Sequence, residues 1–405
     1  MKYIVILGDG MADYPIKELN NKTPLQYAYK PNMDRLAEKS EIGLVKTIPD
    51  GFPPGSDVAN LSVMGYDPKR FYTGRSPLEA VSLGVQLEKL DVAFRCNLVT
   101  LSDEKKYNQK TMIDYSSQEI TTEESQELIK SINKKLGSDK FHFYPGISYR
   151  HLMVWINGLA DLNLTPPHDI TDKKIKNYLP QGEGSALLLN IMEESTEILS
   201  NHPVNESRKA KGLRPATSIW LWGQGKKPSL SSFCQEFGIK GSVVSAVDLV
   251  KGIGICAGLD VVNVPGATGN IHTNYRGKAE AVLIELIKGK DYVYLHIEAP
   301  DEAGHQGNLK DKVKAIEEID DKVLGTILRG MDSINDDYRI MILPDHPTPL
   351  SIKTHTAEAV PFMICDSRFS HSSSQRSYDE KSAQNSGVYV ENGFQLMRRF
   401  LKGWI

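Results

Sequence analysis

Three long apolar runs in this sequence end in the same way, with an aspartate shortly after the last apolar position. The runs are Tyr3–Leu7, Tyr292–Ile297 and Tyr338–Leu343. Near-continuous apolar runs of this length are typical of strands that are buried on both faces of a parallel sheet. Because sites in open α/β sheets form at the carboxyl ends of the strands, we expect the three aspartates behind these strands to lie at one edge of the sheet. We call the three strand ends with their aspartates the polar tips.

The polar residues behind these strands are of the types that bind divalent cations. Aspartates follow all three strands and histidines lie close behind, namely Asp9, Asp301, Asp345, His305, His346 and His355. Asp301 and His305 are four residues apart, which on a helix places both side chains on one face. Any one of these residues alone is more often a helix cap or an ordinary core residue. Together, three carboxylates behind buried strands are costly without a cation, so the pattern predicts a metal site with two ions.

The rest of the chain alternates strands and helices, with a change of pattern in the middle. Residues 91–210 carry their own strands, beginning with Val92–Thr100, and end in a polar stretch. A parallel-sheet pattern resumes at Thr217–Gly223, followed by strands and short helices as in βαβ units. The sequence therefore predicts an α/β fold whose mainly parallel sheet is flanked by helices, with an inserted smaller α/β domain. The expected domains are residues 1–90 plus 211–405, which bind metal, and residues 91–210.

Composition and charge narrow the class of protein. With 405 residues, 40% of them apolar and 24% charged, the chain resembles an ordinary globular protein large enough for two domains. A net charge of −3 and the lack of a basic arm argue against nucleic-acid binding. No apolar run approaches the ~20 residues of a membrane helix, the first run is too short for a signal peptide, and the four cysteines are scattered. We therefore expect a cytoplasmic protein that binds neither nucleic acid nor membrane. A polar, serine-rich loop or sheet edge is expected over Ser367–Ser386.

A serine behind a rigid turn is the second chemical feature. Pro53-Pro54-Gly55 leads into Ser56, and the residues that follow predict a helix with Ser56 as its N-cap. A cap role alone would explain a lone serine. However, a helix start also favours an anion, and a rigid turn suits a nucleophile. Two cations a few ångströms apart suit phosphoryl or sulfuryl transfer, and a serine facing them could become the nucleophile.

The motifs around these residues extend over nearly the whole chain. They are Gly8–Gly10, Pro54–Asp57, Glu298–His305, Pro344–His346 and Thr354–Thr356, with Gly74–Ala80, Ala93–Asn97, Ala246–Gly254 and Gly266–Gly269 in support. Each motif alone is weakly specific, and the combination is highly specific. The combination resembles the alkaline-phosphatase superfamily and, within it, the cofactor-independent phosphoglycerate mutases of the short, archaeal-type branch.

The resemblance implies an isomerase of glycolysis and gluconeogenesis. Such an enzyme interconverts 3-phosphoglycerate and 2-phosphoglycerate without 2,3-bisphosphoglycerate, through a phosphoserine intermediate at Ser56. Two Mn²⁺ ions are implied, although Zn²⁺, Co²⁺ and Mg²⁺ share these ligand types. The implied ligands are Asp301, His305 and His355 for one ion and Asp9, Ser56, Asp345 and His346 for the other.

The resemblance also implies that the inserted domain is a lid that binds the substrate and excludes water. Exclusion matters because water would hydrolyse the phosphoserine. The candidate substrate-binding residues in the lid are Arg150, His151 and His168. Lys251 in the main domain is the candidate for stabilising the transferring phosphoryl group. Each of these four could instead be an ordinary solvated side chain.

Three other functions fit part of the pattern. A homoserine kinase-like enzyme is one, although the sequence has no GxxxxGK[ST] loop for ATP. Another metal-dependent phosphatase or phosphomutase of the superfamily is the second, because a fold does not fix the substrate. His272, where an acidic residue is expected in the family, bears on that choice. A non-catalytic metal-binding scaffold is the third, and it is disfavoured because all seven implied ligands are present.

Overall fold

The structure is a computed structural model that describes residues 1–369 and 376–403. Its strands are β1 (Lys2–Gly8), β2 (Glu41–Val45), β3 (Val92–Leu101), β4 (Met112–Asp114), β5 (Phe141–Ile147), β6 (Arg150–Trp155), β7 (Ser218–Lys226), β8 (Gly241–Val244), β9 (Asp260–Val262), β10 (Tyr292–Ile297), β11 (Tyr338–Leu343), β12 (Val360–Asp366) and β13 (Tyr389–Val390).

The α-helices lie between these strands. They are α1 (Pro24–Tyr27), α2 (Pro31–Ala37), α3 (Ser56–Val63), α4 (Pro68–Phe71), α5 (Ser76–Ser82), α6 (Thr122–Leu136), α7 (Ser185–Ser200), α8 (Pro203–Ala210), α9 (Phe233–Phe237), α10 (Asp248–Cys256), α11 (Tyr275–Ile287), α12 (Ala299–Gln306), α13 (Leu309–Glu318), α14 (Gly325–Ile334), α15 (Glu380–Asn385) and α16 (Phe394–Lys402). A π-helix, Ile319–Leu324, joins α13 to α14, and short 3-10 helices lie at Lys17–Leu19, Tyr107–Gln109, Pro167–Ile170 and Ile175–Tyr178.

The described chain divides into two units. The first unit is Met1–Tyr72 together with the chain from Ser229 onward, and the second unit is Thr73–Pro228. In the part of the chain that the structure describes, no helix is both long enough and apolar enough to cross a membrane.

The first unit is built on an eight-stranded sheet in the order β13-β2-β12-β11-β1-β10-β8-β9. Strand β1 runs parallel to both of its neighbours, and β8 runs parallel to β9 and β10. Strand β12 runs antiparallel to its two neighbours. Residues 4–7 of β1 are completely buried, as expected for a central strand that helices cover on both faces. The predicted, mainly parallel α/β sheet is confirmed.

The register of the central strands aligns their polar tips. Leu7 at the end of β1 lies opposite Leu343 at the end of β11, and Asp9 and Asp345 each follow two residues later. Strand β10, on the other side of β1, leads directly into α12. Helix α12 carries the predicted Asp-x-x-x-His pair. The three tips therefore meet at one sheet edge, as the apolar runs predicted.

The second unit is built on an antiparallel sheet. Strand β3 pairs with β4, β6 and β7, and β5 pairs with β6. Apolar side chains of this sheet and of α6 and α7 form one buried cluster, which includes Phe94, Leu128, Met192 and Trp220. The prediction that Thr217–Gly223 resumes the parallel sheet is wrong, because β7 pairs antiparallel with β3.

The unit boundaries differ from the predicted domain boundaries for the same reason. Helix α5 and strand β7 both pack on β3, so the second unit begins after Tyr72 and ends at Pro228 rather than spanning 91–210. The serine-rich stretch up to Ser386 is predicted to be a loop or a sheet edge. Residues 370–375 of that stretch lie outside the described residues, and α15 occupies Glu380–Asn385 where a loop or a sheet edge was expected.

Candidate active site

Asp9 follows β1 and has one paired and one unpaired carboxylate oxygen. Its Oδ2 lies 2.9 Å from Nε2 of His296, and Nδ1 of His296 lies 3.3 Å from the Ser245 hydroxyl. If Ser245 donates to Nδ1, the neutral ring carries its proton on Nε2 and donates it to Asp9. Burial lowers the pKa of His296 to about 4, which favours the neutral ring. Oδ1 of Asp9 is buried and has no hydrogen-bond partner among the residues that the structure describes.

Asp345 is fully buried behind β11, and its two oxygens have different partners. Oδ1 accepts the backbone N–H groups of Gly10 at 3.2 Å and of His346 at 3.0 Å. Oδ2 accepts Nδ2 of Asn60 at 2.9 Å and lies 3.4 Å from Nε2 of His346. Since a carboxylate oxygen has two acceptor directions, one direction of Oδ2 is left for a further partner.

Thr348 orients the ring of His346. The Thr348 hydroxyl donates to Oδ1 of Asp301 and lies 3.2 Å from Nδ1 of His346. Because a hydroxyl has only one proton to donate, it accepts from Nδ1–H, and Nε2 of the neutral ring therefore carries the lone pair. Burial lowers the pKa of His346, which favours this neutral form. The Nε2 atom lies 3.6 Å from Oδ1 of Asp9.

Ser56 directs its hydroxyl at the same imidazole nitrogen. The N-cap of α3 is Gly55 and Ser56 is the first helical residue, so the prediction that Ser56 is the N-cap is wrong. Oγ of Ser56 lies 3.1 Å from Nε2 of His346. Since Nε2 carries the lone pair, Ser56 is the donor. The serine hydroxyl is therefore held beside Asp9, Asp345 and His346 instead of being used to cap the helix.

Asp301, His305 and His355 form a second group of possible ligands. Nε2 of His305 lies 2.9 Å from Nε2 of His355 and 3.3 Å from Oδ2 of Asp301. Nε2 of His355 lies 3.4 Å from Oδ1 of Asp301. Nδ1 of His305 donates to the carbonyl of Lys353 at 3.0 Å, which directs Nε2 inward. The hydrogen bond with Asp301 raises the pKa of His305 to about 9. The rings of His346 and His355 are 4.1 Å apart between centroids, so the two groups are adjacent.

The donor atoms in both groups fit divalent cations. Burial, together with the charges of Asp345 and Asp301, raises the pKa of Asp9 well above its usual value. A cation would reverse this effect by favouring the ionised carboxylates. Oδ1 of Asp9 has no hydrogen-bond partner among the described residues, and Nε2 of His346 presents its lone pair toward the Ser56 hydroxyl, so both atoms can act as ligands of a cation. Ligand atoms of Asp9, Asp345 and His346 lie within 4.8 Å of one another, as do those of Asp301, His346 and His355. The structure thus brings together all the predicted ligands.

Lys251 lies on α10 of the first unit, and its ammonium is 3.8 Å from Oδ1 of Asp248. A second lysine, Lys278, is fully buried on α11 and donates to the carbonyl of His296 at 3.3 Å. Burial, with the nearby charge of Lys251, lowers the pKa of Lys278 to about 8. Since His296 is the residue that holds Asp9, Lys278 is directly behind the candidate site.

Two of the predicted substrate-binding residues lie in one cluster of the second unit, which we call the arginine–aromatic cluster. Its members are Arg75, Glu79, Arg95, Tyr115, Tyr149, Arg150, His168 and Trp222. The His168 ring packs against Trp222 with centroids 5.4 Å apart, and Arg95 lies over the same indole at 4.7 Å. Burial and the charges of Arg75 and Arg150 lower the pKa of Arg95. The cluster has a net positive charge, because its three guanidinium groups outnumber the carboxylates of Glu79 and of Asp169, which lies 3.6 Å from Nε2 of His168.

The third predicted substrate-binding residue, His151, points into the second unit. Its ring is buried, and Nδ1 accepts the backbone N–H of Gly146 at 2.9 Å. Burial lowers the pKa of His151 to about 3, so this ring is neutral at ordinary pH. Arg150, its neighbour on β6, is exposed, as the alternation of side chains along a strand requires. The contact of His151 with substrate stays a prediction.

Sequence reasoning missed the residues that orient the ligands. Asn60, His296 and Thr348 each form a hydrogen bond to a predicted ligand, as described above. One signal was available for His296, which is a polar residue inside an otherwise apolar strand. No spacing rule connects Asn60 to Asp345 or Thr348 to Asp301, because these pairs are 285 and 47 positions apart.

Comparisons with known proteins agree with the resemblance found in the motifs. Residues 37–205 match the family model described as 2,3-bisphosphoglycerate-independent phosphoglycerate mutase. A protein of Geobacter sulfurreducens named "probable 2,3-bisphosphoglycerate-independent phosphoglycerate mutase" is 55% identical over 99% of this chain and 100% of its own length. A solved structure of a Pyrococcus horikoshii protein is 31% identical, with a TM-score of 0.83 over 100% of this chain and 98% of that chain. The cofactor-independent phosphoglycerate mutase of Thermoplasma acidophilum is 27% identical, with a TM-score of 0.68 over 99% of both chains. These names support the mutase reading and not the homoserine kinase alternative.

Proposed function

Because this chain belongs to the family of 2,3-bisphosphoglycerate-independent phosphoglycerate mutases, we propose that it interconverts 3-phosphoglycerate and 2-phosphoglycerate through a phosphoserine at Ser56. Its relatives are isomerases of the intramolecular phosphotransferase type. The observation that carries the proposal is the hydrogen bond from Ser56 Oγ to His346 Nε2, at 3.1 Å. This bond holds a serine hydroxyl at the start of a helix and beside the carboxylates of Asp9 and Asp345.

We propose that two divalent cations act with Ser56. Asp301, His305 and His355 would hold one ion, and the other would be held by Asp9, Ser56, Asp345 and His346. Mn²⁺ is the proposed metal, since mixed carboxylate and imidazole sets suit it, although Zn²⁺, Co²⁺ and Mg²⁺ are chemically possible. When bound, the ions lower the pKa of a coordinated hydroxyl and neutralise the charge of a transferring phosphoryl group.

In the first half-reaction, Ser56 Oγ attacks the phosphorus of 3-phosphoglycerate. The Oγ–P bond forms as the bond from phosphorus to the C3 oxygen breaks, the serine loses its proton, and the C3 oxygen gains one. In the second half-reaction the C2 hydroxyl of the reoriented glycerate attacks phosphorus, loses its proton, and Ser56 Oγ is released and protonated. At the end of the cycle the phosphoryl group is on the C2 oxygen, the C3 oxygen carries one proton and Ser56 has regained the other, so neither a nucleotide nor 2,3-bisphosphoglycerate is consumed.

The protein must also bind the anionic parts of the substrate. Lys251 is proposed to stabilise the transferring phosphoryl group, which its ammonium suits as a point charge. Arg150 and His168 are proposed to bind substrate because they belong to the positively charged arginine–aromatic cluster. Guanidinium groups form paired hydrogen bonds with carboxylates and phosphates. The second unit is accordingly proposed to bind substrate and to exclude water, which would otherwise hydrolyse the phosphoserine.

A cytoplasmic location is part of the proposal. The four cysteines all lie in the described ranges and none of them forms a disulfide, as is usual in a reducing compartment. The substrate is a small phosphorylated molecule, and neither nucleic acid nor membrane is proposed as a partner.

The experiment that tests the proposal measures conversion of 3-phosphoglycerate to 2-phosphoglycerate without 2,3-bisphosphoglycerate. Purified protein is assayed with added Mn²⁺, and again with a chelator followed by excess Mn²⁺. We expect turnover that the chelator abolishes and Mn²⁺ restores. Absence of turnover in protein that binds two Mn²⁺ ions would overturn the substrate assignment. Turnover that the chelator leaves unchanged would overturn the role of the metal.

A further inference from the structure

Asn60 lies one helical turn after Ser56 on α3 and is completely buried. Its Nδ2 donates to the carbonyl oxygen of Ser56 at 2.9 Å and to Oδ2 of Asp345 at 2.9 Å. Its Oδ1 accepts the hydroxyl of Tyr294 at 2.7 Å. One amide therefore joins the start of α3, the polar tip behind β11 and the interior of β10.

The three partners determine where the NH₂ group and where the oxygen of the Asn60 amide must lie. A carbonyl oxygen and an ionised carboxylate can only accept, so the NH₂ group of Asn60 faces Ser56 and Asp345. Burial raises the pKa of Tyr294 well above its usual value, so its hydroxyl keeps the proton that it donates to Oδ1. Flipping the amide would place two acceptors against Oδ1 and a donor against the Tyr294 proton. The side chain thus has one satisfied orientation.

We propose that Asn60 is a positioning residue, which holds the Ser56 nucleophile at a fixed position relative to the Asp345 carboxylate. This inference rests on the proposed function, because Ser56 and Asp345 are there the nucleophile and a metal ligand. The bond to the Ser56 carbonyl fixes the backbone that carries Oγ. The bond to Oδ2 occupies one of its two acceptor directions, so that the remaining direction is set for a cation.

Replacing a residue that only packs in the core would have different consequences from replacing a positioning residue. Loss of a buried amide lowers stability anywhere in a protein. A displacement of the Ser56 hydroxyl relative to the Asp345 carboxylate would, in addition, lower kcat and metal affinity. A misplacement of about 1 Å is enough to cost ~100-fold in rate. Loss of a side chain that hydrogen-bonds a metal ligand and orients it typically costs ~10- to 100-fold in metal affinity.

Asn205 in the second unit is a matched control for this difference. It is equally buried, its Nδ2 donates to the carbonyls of Leu199 and Ala216, and its Oδ1 accepts the N–H of Ala216. Like Asn60, it therefore makes two hydrogen bonds through Nδ2 and one through Oδ1, but all of its partners are backbone groups and none belongs to a predicted site residue. Its replacement by alanine measures the general cost of deleting a buried amide.

The experiment compares Asn60→Ala, Tyr294→Phe and Asn205→Ala with the wild type. Thermal unfolding, kcat, KM and Mn²⁺ affinity by calorimetric titration are measured for each protein. For Asn60→Ala we expect kcat to fall by ~100-fold with KM within about 2-fold, and Mn²⁺ binding to weaken by ~10-fold or more. For Asn205→Ala we expect a lower Tm with kcat and Mn²⁺ affinity unchanged. Tyr294→Phe removes one oxygen and keeps the packing, so it tests the orientation of the amide even if Asn60→Ala does not fold. We expect its kcat to fall by ~10-fold, about the value of one buried hydrogen bond.

Two results would overturn the inference. One is Asn60→Ala with kcat and Mn²⁺ affinity within 2-fold of wild type, and the other is equal losses in Asn60→Ala and Asn205→Ala. If Asn60→Ala does not fold, wild-type kcat and Mn²⁺ affinity in Tyr294→Phe would overturn it. Failure of the proposed function is recognised separately, because wild-type protein would then bind Mn²⁺ without mutase turnover. The Mn²⁺ titration of the variants would still decide whether Asn60 orients Asp345.

Discussion

Oγ of Ser56 lies 3.1 Å from Nε2 of His346, the atom that the carboxylates of Asp9 and Asp345 also approach, at 3.6 and 3.4 Å. A serine that was only a helix cap would bond to a backbone N–H of its own helix. Here Gly55 holds the cap position, and the hydroxyl is directed at the buried imidazole. The site is therefore assembled around the serine oxygen, and the predictions below test the groups that surround it.

Replacing Ser56 by alanine should abolish mutase turnover and leave the fold intact. We expect kcat to fall by ~10⁴-fold or more, as for other nucleophile deletions, with Tm and Mn²⁺ content nearly unchanged. Ser62→Ala is the matched control, because Ser62 is on the same helix and its buried hydroxyl has no hydrogen-bond partner among the described residues. Its kcat should equal that of wild type. Substantial turnover by Ser56→Ala would remove Ser56 from the nucleophile role.

Replacing Thr348 by valine should weaken metal binding. The valine has nearly the same shape but cannot donate to Asp301 or accept from Nδ1 of His346. Without that contact the His346 ring loses its fixed tautomer, and we expect Mn²⁺ affinity to fall by ~10- to 100-fold. Thr348→Ser keeps the hydroxyl and should bind Mn²⁺ within about 3-fold of wild type in the same titration. Equal affinities for the valine and serine variants would contradict the role of the hydroxyl.

Replacing Arg150 by alanine should weaken substrate binding more than chemistry. A charged hydrogen bond to an anion is worth about 1.5–3 kcal/mol, so we expect KM for 3-phosphoglycerate to rise by ~10-fold or more. Lys209→Ala removes an exposed cation of the same unit that pairs with Glu206, and it controls for the change in overall charge. If KM rises equally in both variants, Arg150 does not bind the substrate directly.

Glu380 should make the protein less stable as the pH rises. Its carboxyl accepts the Thr23 hydroxyl and the N–H of Asp13, and burial raises its pKa from 4.5 to about 7. A raised carboxyl pKa means that the folded state favours the protonated form, so this stabilisation is present below about pH 4.5 and lost as the pH rises to 7.

The variant Glu380→Gln cannot ionise and should lose that pH dependence. Relative to the variant, the free energy of unfolding of wild type should fall by up to about 3 kcal/mol between pH 4.5 and 7. Urea unfolding of both proteins over this range, at one fixed Mn²⁺ concentration, measures the difference. Parallel pH profiles would show that Glu380 keeps an ordinary pKa.

The sequence predicted the catalytic sheet well because its strands are buried on both faces. Such strands appear as unbroken apolar runs, and the aspartates behind them are visible against that background. The second unit was harder to delimit. Strand β7 resembles a parallel-sheet strand in composition, and only its pairing with β3 shows that it belongs to the antiparallel sheet.

The cap position of α3 and the orienting residues could not be read from local patterns. Serine is a common N-cap and glycine also occupies that position, so the choice between Ser56 and Gly55 depended on the geometry of the turn. Asn60, His296 and Thr348 each also contact a carboxylate that is far away in the chain, namely Asp345, Asp9 and Asp301. Their roles follow from hydrogen-bond donors and acceptors in three dimensions, which a single sequence does not contain.

The central claim is that the phosphoryl group passes through Ser56. The most direct test incubates the Mn²⁺-loaded enzyme with 3-phosphoglycerate labelled in its phosphate, quenches with acid within milliseconds, and locates the label by peptide mass spectrometry. We predict label on the peptide that contains Ser56, in an amount that approaches one phosphate per active site. The label should disappear when unlabelled 3-phosphoglycerate is added in excess. Mutase turnover with no label on Ser56, or with the label on another residue, would contradict the account.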